Sequence, residues 1–263
     1  KTIIHHPGQS DDEQAALAVI QQLGATVLAQ SAHTIEIISN GLVTPVSPSI
    51  YCGESGLAAR LFTPIAALSR NAISIEGKGS LLRRPIEGLA EVMEQLNVSL
   101  TGFNGYLPFT IQGPIQAKDV TINASGGSQL LSGILFAICH CATEPINIKV
   151  LGLKSKPYID VTLDVLARFG KKITHNNYRE FYIDPSVFTH EETVELTVEA
   201  DWSSAAYMLV AGAIGGEITV NNLNINSTQA DRVLLDILTN AGADITIEGD
   251  SVKVSKHRML AFE

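Results

Sequence analysis

Pro157-Tyr158-Ile159-Asp160-Val161-Thr162-Leu163-Asp164-Val165-Leu166-Ala167-Arg168-Phe169-Gly170-Lys171 is the stretch that decides the fold. A proline can open a helix, because the missing N–H costs nothing at the first helical position. Ile159, Leu163, Leu166 and Phe169 then recur at three-to-four spacing and share one face, so the segment predicts an amphipathic helix stopped at Phe169-Gly170-Lys171. The pattern returns about every 72 residues. Its starts are Asp12, Pro85, Pro157 and Thr228, and its stops are Leu23-Gly24-Ala25, Leu96-Asn97-Val98, Phe169-Gly170-Lys171 and Ala241-Gly242-Ala243. A repeat of this length is one supersecondary unit copied along the chain.

Working outward from the helix, each complete copy reads strand, helix, strand, helix, strand, strand. The second copy predicts a helix over 55–68, a strand over 72–75, a helix over 85–96 and strands near 98–100 and 109–111. The third predicts strands over 120–122, 146–150, 172–174 and 181–183, with helices over 128–139 and 157–169. The fourth predicts strands over 194–198, 217–220, 244–247 and 252–254, with helices over 203–214 and 228–241. The first copy retains only its second half, entered through Ser10-Asp11-Asp12-Glu13, which has capping-box spacing. The first helix of each unit is apolar nearly all round, as in Leu130 to Cys139 and Ala205 to Ala211, and a helix without a polar face is buried. Each unit is therefore expected to be a small sheet over helices, with the helices of several units packed together and the sheets facing solvent. Pro64, about two turns into its helix, predicts a kink or a short break.

Composition narrows the function. The chain has 263 residues, 45% hydrophobic and 17% charged, enough for one large or two modest domains. Its longest apolar run, Leu130 to Cys139, is about half the length of a membrane span. A net charge of −9 without a basic stripe argues against nucleic acid. The three cysteines, Cys52, Cys139 and Cys141, have no metal-like or disulfide-framework spacing, so no metal, no cofactor and a cytoplasmic location are expected.

Small polar residues gather at helix starts: Gly53-Glu54-Ser55-Gly56, Ser125-Gly126-Gly127-Ser128-Gln129, Lys154-Ser155-Lys156-Pro157-Tyr158 and Asp201-Trp202-Ser203-Ser204. Exposed N–H groups and the positive end of the helix dipole there suit an anion, whereas the competing reading is simple capping. Arg84 and Lys156 each precede a helix-opening proline, where a bound carboxylate or phosphate would relieve their conflict with the dipole; the alternative is a solvated cation. Arg60, one turn into an apolar helix, needs an ion-pair partner or a ligand if it is buried. Gly77-Lys78-Gly79-Ser80 lacks the full phosphate-loop pattern and reads as a turn. His5, His6 and His140 lack ligand spacing, and no Ser-His-Asp set can be assembled.

These turns carry a resemblance. Gly53-Glu54-Ser55-Gly56-Leu57-Ala58-Ala59-Arg60, Leu82-Arg83-Arg84-Pro85-Ile86, Ser128-Gln129, Leu153-Lys154-Ser155-Lys156-Pro157-Tyr158-Ile159-Asp160 and Asp201-Trp202-Ser203-Ser204-Ala205-Ala206-Tyr207 resemble, in order, the 5-enolpyruvylshikimate-3-phosphate synthase family, the 3-phosphoshikimate 1-carboxyvinyltransferases. The resemblance implies an α/β fold, an inside-out α/β barrel of repeated βαβαββ units, with about three and a half of the family's six present. Residues 1–196 would be an incomplete three-unit domain and 197–263 a single unit of the second. It implies enolpyruvyl transfer from phosphoenolpyruvate to shikimate 3-phosphate. Gly56, Arg84 and Gln129 would bind phosphoenolpyruvate; Ser128, Gln129, Ser155 and Tyr158 would bind shikimate 3-phosphate; Arg60, Gly127 and Lys156 would support them. Gly127 stands where the family usually has serine. The family's Lys-Ser and Arg motif would lie before Lys1, and its catalytic Asp, Lys-Glu pair and later cations beyond Glu263. No catalytic residue is therefore assigned, and this chain alone is expected to have little or no turnover. The expected partners are the two small-molecule substrates, with no nucleic acid or membrane and a monomeric intact protein. UDP-N-acetylglucosamine enolpyruvyl transferase, which typically carries a reactive cysteine on a mobile loop, is the rival reading; a noncatalytic binding fragment is the other.

Overall fold

The computed structural model describes residues 1–256, so the stretch 257–263 of the second predicted domain lies outside the described residues. The chain divides into two compact units, Lys1–Leu196 and Thr197–Glu263. Each has its own apolar core.

The first unit opens with β1 (Thr2–His5), α1 (Asp11–Gln22), β2 (Thr26–Gln30) and β3 (Thr34–Ile38). There follow β4 (Ser49–Tyr51), α2 (Gly56–Ala66), β5 (Ala72–Glu76), a 3-10 helix over Gly79–Arg83, α3 (Leu89–Gln95), β6 (Ser99–Thr101) and β7 (Phe109–Gln112). Then come β8 (Val120–Asn123), α4 (Gln129–Cys141), β9 (Ile146–Leu151), α5 (Lys156–Arg168), β10 (Thr174–Asn176), β11 (Glu180–Ile183) and β12 (Val194–Thr197), which runs to the boundary. Two sheets have the same plan, β4-β5-β7-β6 and β8-β9-β11-β10. In each the first pair is parallel and joined through a buried helix, and the other two pairs are antiparallel. Val120 and Ile122 are buried while Thr121 and Asn123 are exposed, so one face of the sheet meets the helices and the other meets water.

The helical core comes from α2 and α4. Leu131, Ile134, Leu135, Ala137 and Ile138 of α4 are fully buried. A Cβ added at Gly133 would lie 2.5 Å from the Leu61 carbonyl and 3.1 Å from the Arg60 carbonyl, so a glycine is what allows the two backbones to approach. The predicted break at Pro64 is absent: α2 runs through it to Ala66. Pro64 supplies no N–H to the Arg60 carbonyl, one of the two carbonyls lying against Gly133.

Four expectations need correction. The helix over 85–96 begins only at Leu89, so Pro85 opens nothing. Ile86 donates its N–H to the Gly105 carbonyl, and Gly88 stands at the N-cap with φ +75°, a left-handed conformation suited to glycine. The helix over 228–241 is a 3-10 turn, Ala230–Val233, leading into α7 (Leu234–Asn240). The strand that opens the fourth copy, β12, pairs into the first sheet, order β12-β1-β3-β2, where it fills the place that β4 and β8 take in theirs. The fourth copy's own sheet, order β13-β15-β14, thus has three strands: β13 (Glu217–Val220), β14 (Asp244–Glu248) and β15 (Ser251–Ser255). Finally, α6 (Trp202–Gly215) is not buried all round. Trp202, Leu209 and Ala213 are in the second core, but Tyr207, Met208 and Ile214 are exposed.

Candidate functional site

The site begins with how α2 is entered. Ser55 is the N-cap, its Oγ accepting from the Ala58 N–H at 3.1 Å, so Gly56 is the first helical residue. This helix start is therefore capped by a side chain. It also holds two cations. A Cβ on Gly56 would lie 2.7 Å from Arg60 Nη1 and 3.6 Å from Arg84 Nη1, so both guanidiniums stand over the opening turn of α2.

Arg60 is tied down by neutral acceptors. It donates to the Gly56 carbonyl at 3.0 Å, the Pro85 carbonyl at 2.6 Å and Gln129 Oε1 at 3.4 Å. The structural ion pair foreseen for it is not formed; among the described residues no carboxylate lies within 4 Å of either guanidinium. Burial pulls the Arg60 guanidinium below its usual range, the Arg84 charge adds to this, and Glu87 opposes it. Two like charges held together beside a helix N-terminus, neither in an ion pair, form a place where an anion is favoured. Arg84 is exposed and donates from Nη2 to Ser80 Oγ at 3.2 Å. It sits at the end of the 3-10 helix over Gly79–Arg83 and addresses α2 rather than the helix that follows Pro85.

Gln129 opens α4 and joins this group through Arg60. A recess of about 10 Å³ between them is lined by Arg60, Glu87, Gly126, Gly127, Gln129 and their neighbours, room for one water molecule. Ser128 is buried at the N-cap of α4 but makes no cap hydrogen bond, and Ser155 at the N-cap of α5 makes none either. Their hydroxyls are therefore not used up as caps, unlike those at Ser10 and Ser55 or the carboxylate of Asp201. Gly127 has φ +127°, backbone that a serine would strain, which accounts for the glycine at that position.

Ser155, Lys156 and Tyr158 open α5. A buried hydroxyl pair ties α5 to α4: Ser132 Oγ lies 2.7 Å from Thr162 Oγ1, and Thr162 also donates to the Tyr158 carbonyl. Lys156 stands 5.5 Å above the Tyr178 ring, whose hydroxyl donates to Asp160 at 2.7 Å. Lys156 and Tyr178, together with Lys149, Asn176, Arg179 and Glu180, line an open groove of about 710 Å³; Ser155, Tyr158 and Asp160 are not among its lining residues. The structure thus brings Gly56, Arg60, Arg84 and Gln129 into one group, while Ser155, Lys156 and Tyr158 form another at the start of α5.

The family model for EPSP synthase (3-phosphoshikimate 1-carboxyvinyltransferase) matches residues 1–262. The chain belongs to the EPSP synthase family. Among its relatives, the 3-phosphoshikimate 1-carboxyvinyltransferase of Methanosarcina mazei is 36% identical over 268 residues, covering 99% of this chain and 62% of the relative. That of Clostridium kluyveri is 30% identical over 246 residues, covering 94% and 57%. The chain therefore spans about six tenths of the length of the curated relatives it matches. EPSP synthase from Acinetobacter baumannii superposes with a TM-score of 0.76 at 24% identity, over 97% of this chain and 58% of that one. An enolpyruvyl transferase from Streptomyces tendae gives 0.67 at 15% identity, over 97% and 60%. These likenesses establish the fold: mixed α/β, of repeated βαβαββ units, with no closed barrel among the described residues.

Some residues of this candidate site escape sequence reasoning. Glu54, Ser80 and Glu87 surround the two arginines, yet Ser80 falls in a segment readable only as a turn. Tyr178 reaches α5 from the three-residue hairpin turn Asn177-Tyr178-Arg179, in which Asn177 and Tyr178 are both at positive φ. Burial pushes the Cys52 and Cys139 thiols up to about 12, so neither is a nucleophile near neutral pH.

Proposed function

We propose that this chain serves the transfer of the enolpyruvyl group of phosphoenolpyruvate to the 5-hydroxyl of shikimate 3-phosphate. In that reaction the 5-hydroxyl oxygen attacks C2 of phosphoenolpyruvate as C3 takes up a proton. The tetrahedral intermediate then loses phosphate and a proton to give the enol ether. The observation that carries the reading is the convergence of Arg60 and Arg84 on Gly56 at the start of α2, where neither guanidinium is ion-paired among the described residues although Glu54 and Glu87 lie nearby. In this reading Gly56, Arg84 and Gln129 take phosphoenolpyruvate, with Arg60 in support. Ser128, Gln129, Ser155 and Tyr158 take shikimate 3-phosphate, with Gly127 and Lys156 in support. Preorganised cations of this kind hold and orient the anions and stabilise charge that develops as phosphate departs.

Residues 1–196 are then an incomplete three-unit domain. The first sheet has its four strands but, among the described residues, no counterpart of α2 or α4. Residues 197–263 are one unit of the second domain. The protein is read as a cytoplasmic monomer; among the described residues no helix is long and apolar enough to cross a membrane. The rival nucleotide-sugar transferase reading is weakened by Cys52 and Cys139, both buried with thiols pushed up to about 12.

Calorimetric titration of the chain with phosphoenolpyruvate tests the proposal. Arg84→Ala is expected to weaken binding at least about tenfold, the loss of one charge-assisted contact. Unchanged affinity in Arg84→Ala would remove the reading. In the same samples phosphate release with both substrates is expected to stay at background.

A further inference from the structure

Arg84 is an exposed, long side chain without an ion-pair partner, and such a chain loses much rotamer freedom when it is fixed in one direction. Something must direct it toward Gly56. Its Nη2 meets Ser80 Oγ at 3.2 Å, leaving Nη1 over the first turn of α2. Ser80 in turn is held by Glu54, which lies on the turn before α2 and whose Oε2 accepts the Ser80 N–H at 2.9 Å. The carboxylate is pressed onto the turn: a Cβ added at Gly79 would lie 2.4 Å from the Glu54 carboxyl carbon.

We propose that Glu54 is a positioning residue for Arg84, acting through Ser80 to aim the guanidinium at the anion site over Gly56. The proposal rests on the reading of Arg84 as a phosphoenolpyruvate ligand. A carboxylate paired directly with Arg84 would compete with an incoming anion. One hydrogen-bonded to Ser80 instead orders the arginine without forming a direct ion pair with it. Hydrogen bonds from the Ser80 backbone and side chain hold the Glu54 carboxyl below its ordinary range against its slight desolvation, with Lys78 and Arg84 adding to the effect, so the acceptor is ionised at neutral pH. Because Glu54 is exposed, its substitution leaves the apolar core untouched.

The test uses the whole 263-residue chain with 15N-labelled arginine, the Arg84 side-chain N–H signal being assigned by its loss in Arg84→Lys. In the ligand-free chain Glu54→Ala and Ser80→Ala should each move that signal to the position of a free arginine. Glu54→Gln, which keeps an acceptor oxygen for the Ser80 N–H, should preserve it. Glu54→Ala should raise the Kd for phosphoenolpyruvate about tenfold, the order expected when a side chain must be immobilised on binding. That increase should vanish in an Arg84→Lys background, which a merely structural role would not produce. An Arg84 signal unchanged by Glu54→Ala, or an equal penalty in both backgrounds, would overturn the proposal. If the unaltered chain does not bind phosphoenolpyruvate, the functional reading falls, while the Arg84 signal still decides whether Glu54 positions it.

Discussion

At Gly56 the site tolerates no side chain without cost, because the position a methyl would take is 2.7 Å from Arg60 Nη1. The obstacle is the end of a flexible side chain, so Gly56→Ala should fold normally while displacing Arg60 from Gln129 and narrowing the anion site. A rise of about tenfold or more in the Kd for phosphoenolpyruvate, with the melting temperature unchanged, is expected by calorimetry. The thiols give a second residue-scale expectation. Cys52 and Cys139 have native pKa values pushed up to about 12 from 9.0. Above pH 9 the unfolded chain releases those protons while the native chain keeps them, so their contribution lowers stability as pH rises from 9 toward 12. Denaturant unfolding across that range should show a shallower decline for Cys52→Ala than for the unaltered chain. Which helix-start serines act as caps was not legible from residue type: Ser55 and Ser128 stand in similar small-residue turns, but only Ser55 reaches a backbone N–H. That difference is one of backbone angle, which Ser128 adopts in the helical region and Ser55 in the extended one.

Elements were legible where periodicity spoke and less so where tertiary contacts decide. The helices α2, α4 and α6 and the capping box at Ser10 could be read directly from local sequence, and so could the burial of α4, whereas α6 keeps an exposed face that its apolar run did not announce. Pro85 carried a helix-start signal and yet lies outside α3, because Ile86 is held by Gly105 and Gly88 turns the chain. Pro64 carried a break signal and yet lies within α2, whose path is held by α4 at Gly133. That contact is the element to test. In Gly133→Ala the new methyl would meet the Leu61 carbonyl at 2.5 Å, and neither backbone can yield without moving a buried helix. A loss of about 1–3 kcal/mol, the usual penalty for overpacking, is expected by thermal or denaturant unfolding. An unchanged melting temperature would show that α2 and α4 can slide apart freely.

At the scale of the molecule, the repeat predicts the number of strands but not their partners. β12 reads as the opening strand of the fourth copy, and only a contact across the length of the first unit shows that it closes the first sheet beside β1. A local pattern carries no record of such pairing, which is paid for in loop-closure entropy and repaid only when the whole unit is assembled. The consequence is directional. The Val194 N–H donates to the Lys1 carbonyl at 2.9 Å, the backbone amino group of Lys1 donates to the Glu192 carbonyl at 2.7 Å, and His5 meets Glu195 across the same pair of strands. A chain ending at Glu191 loses all of these and leaves β1 as an open edge, whereas one ending at Val198 keeps them without any of α6. The shorter chain should therefore be less stable by about 2–4 kcal/mol, lowering its melting temperature by roughly 5–15 °C relative to the longer one. It should also associate more readily through the exposed strand. Calorimetric melting and light scattering of the two chains side by side measure both effects. Equal stability would mean that β12 is a passenger on the first sheet; the expected gap would make it the strand that completes the first unit.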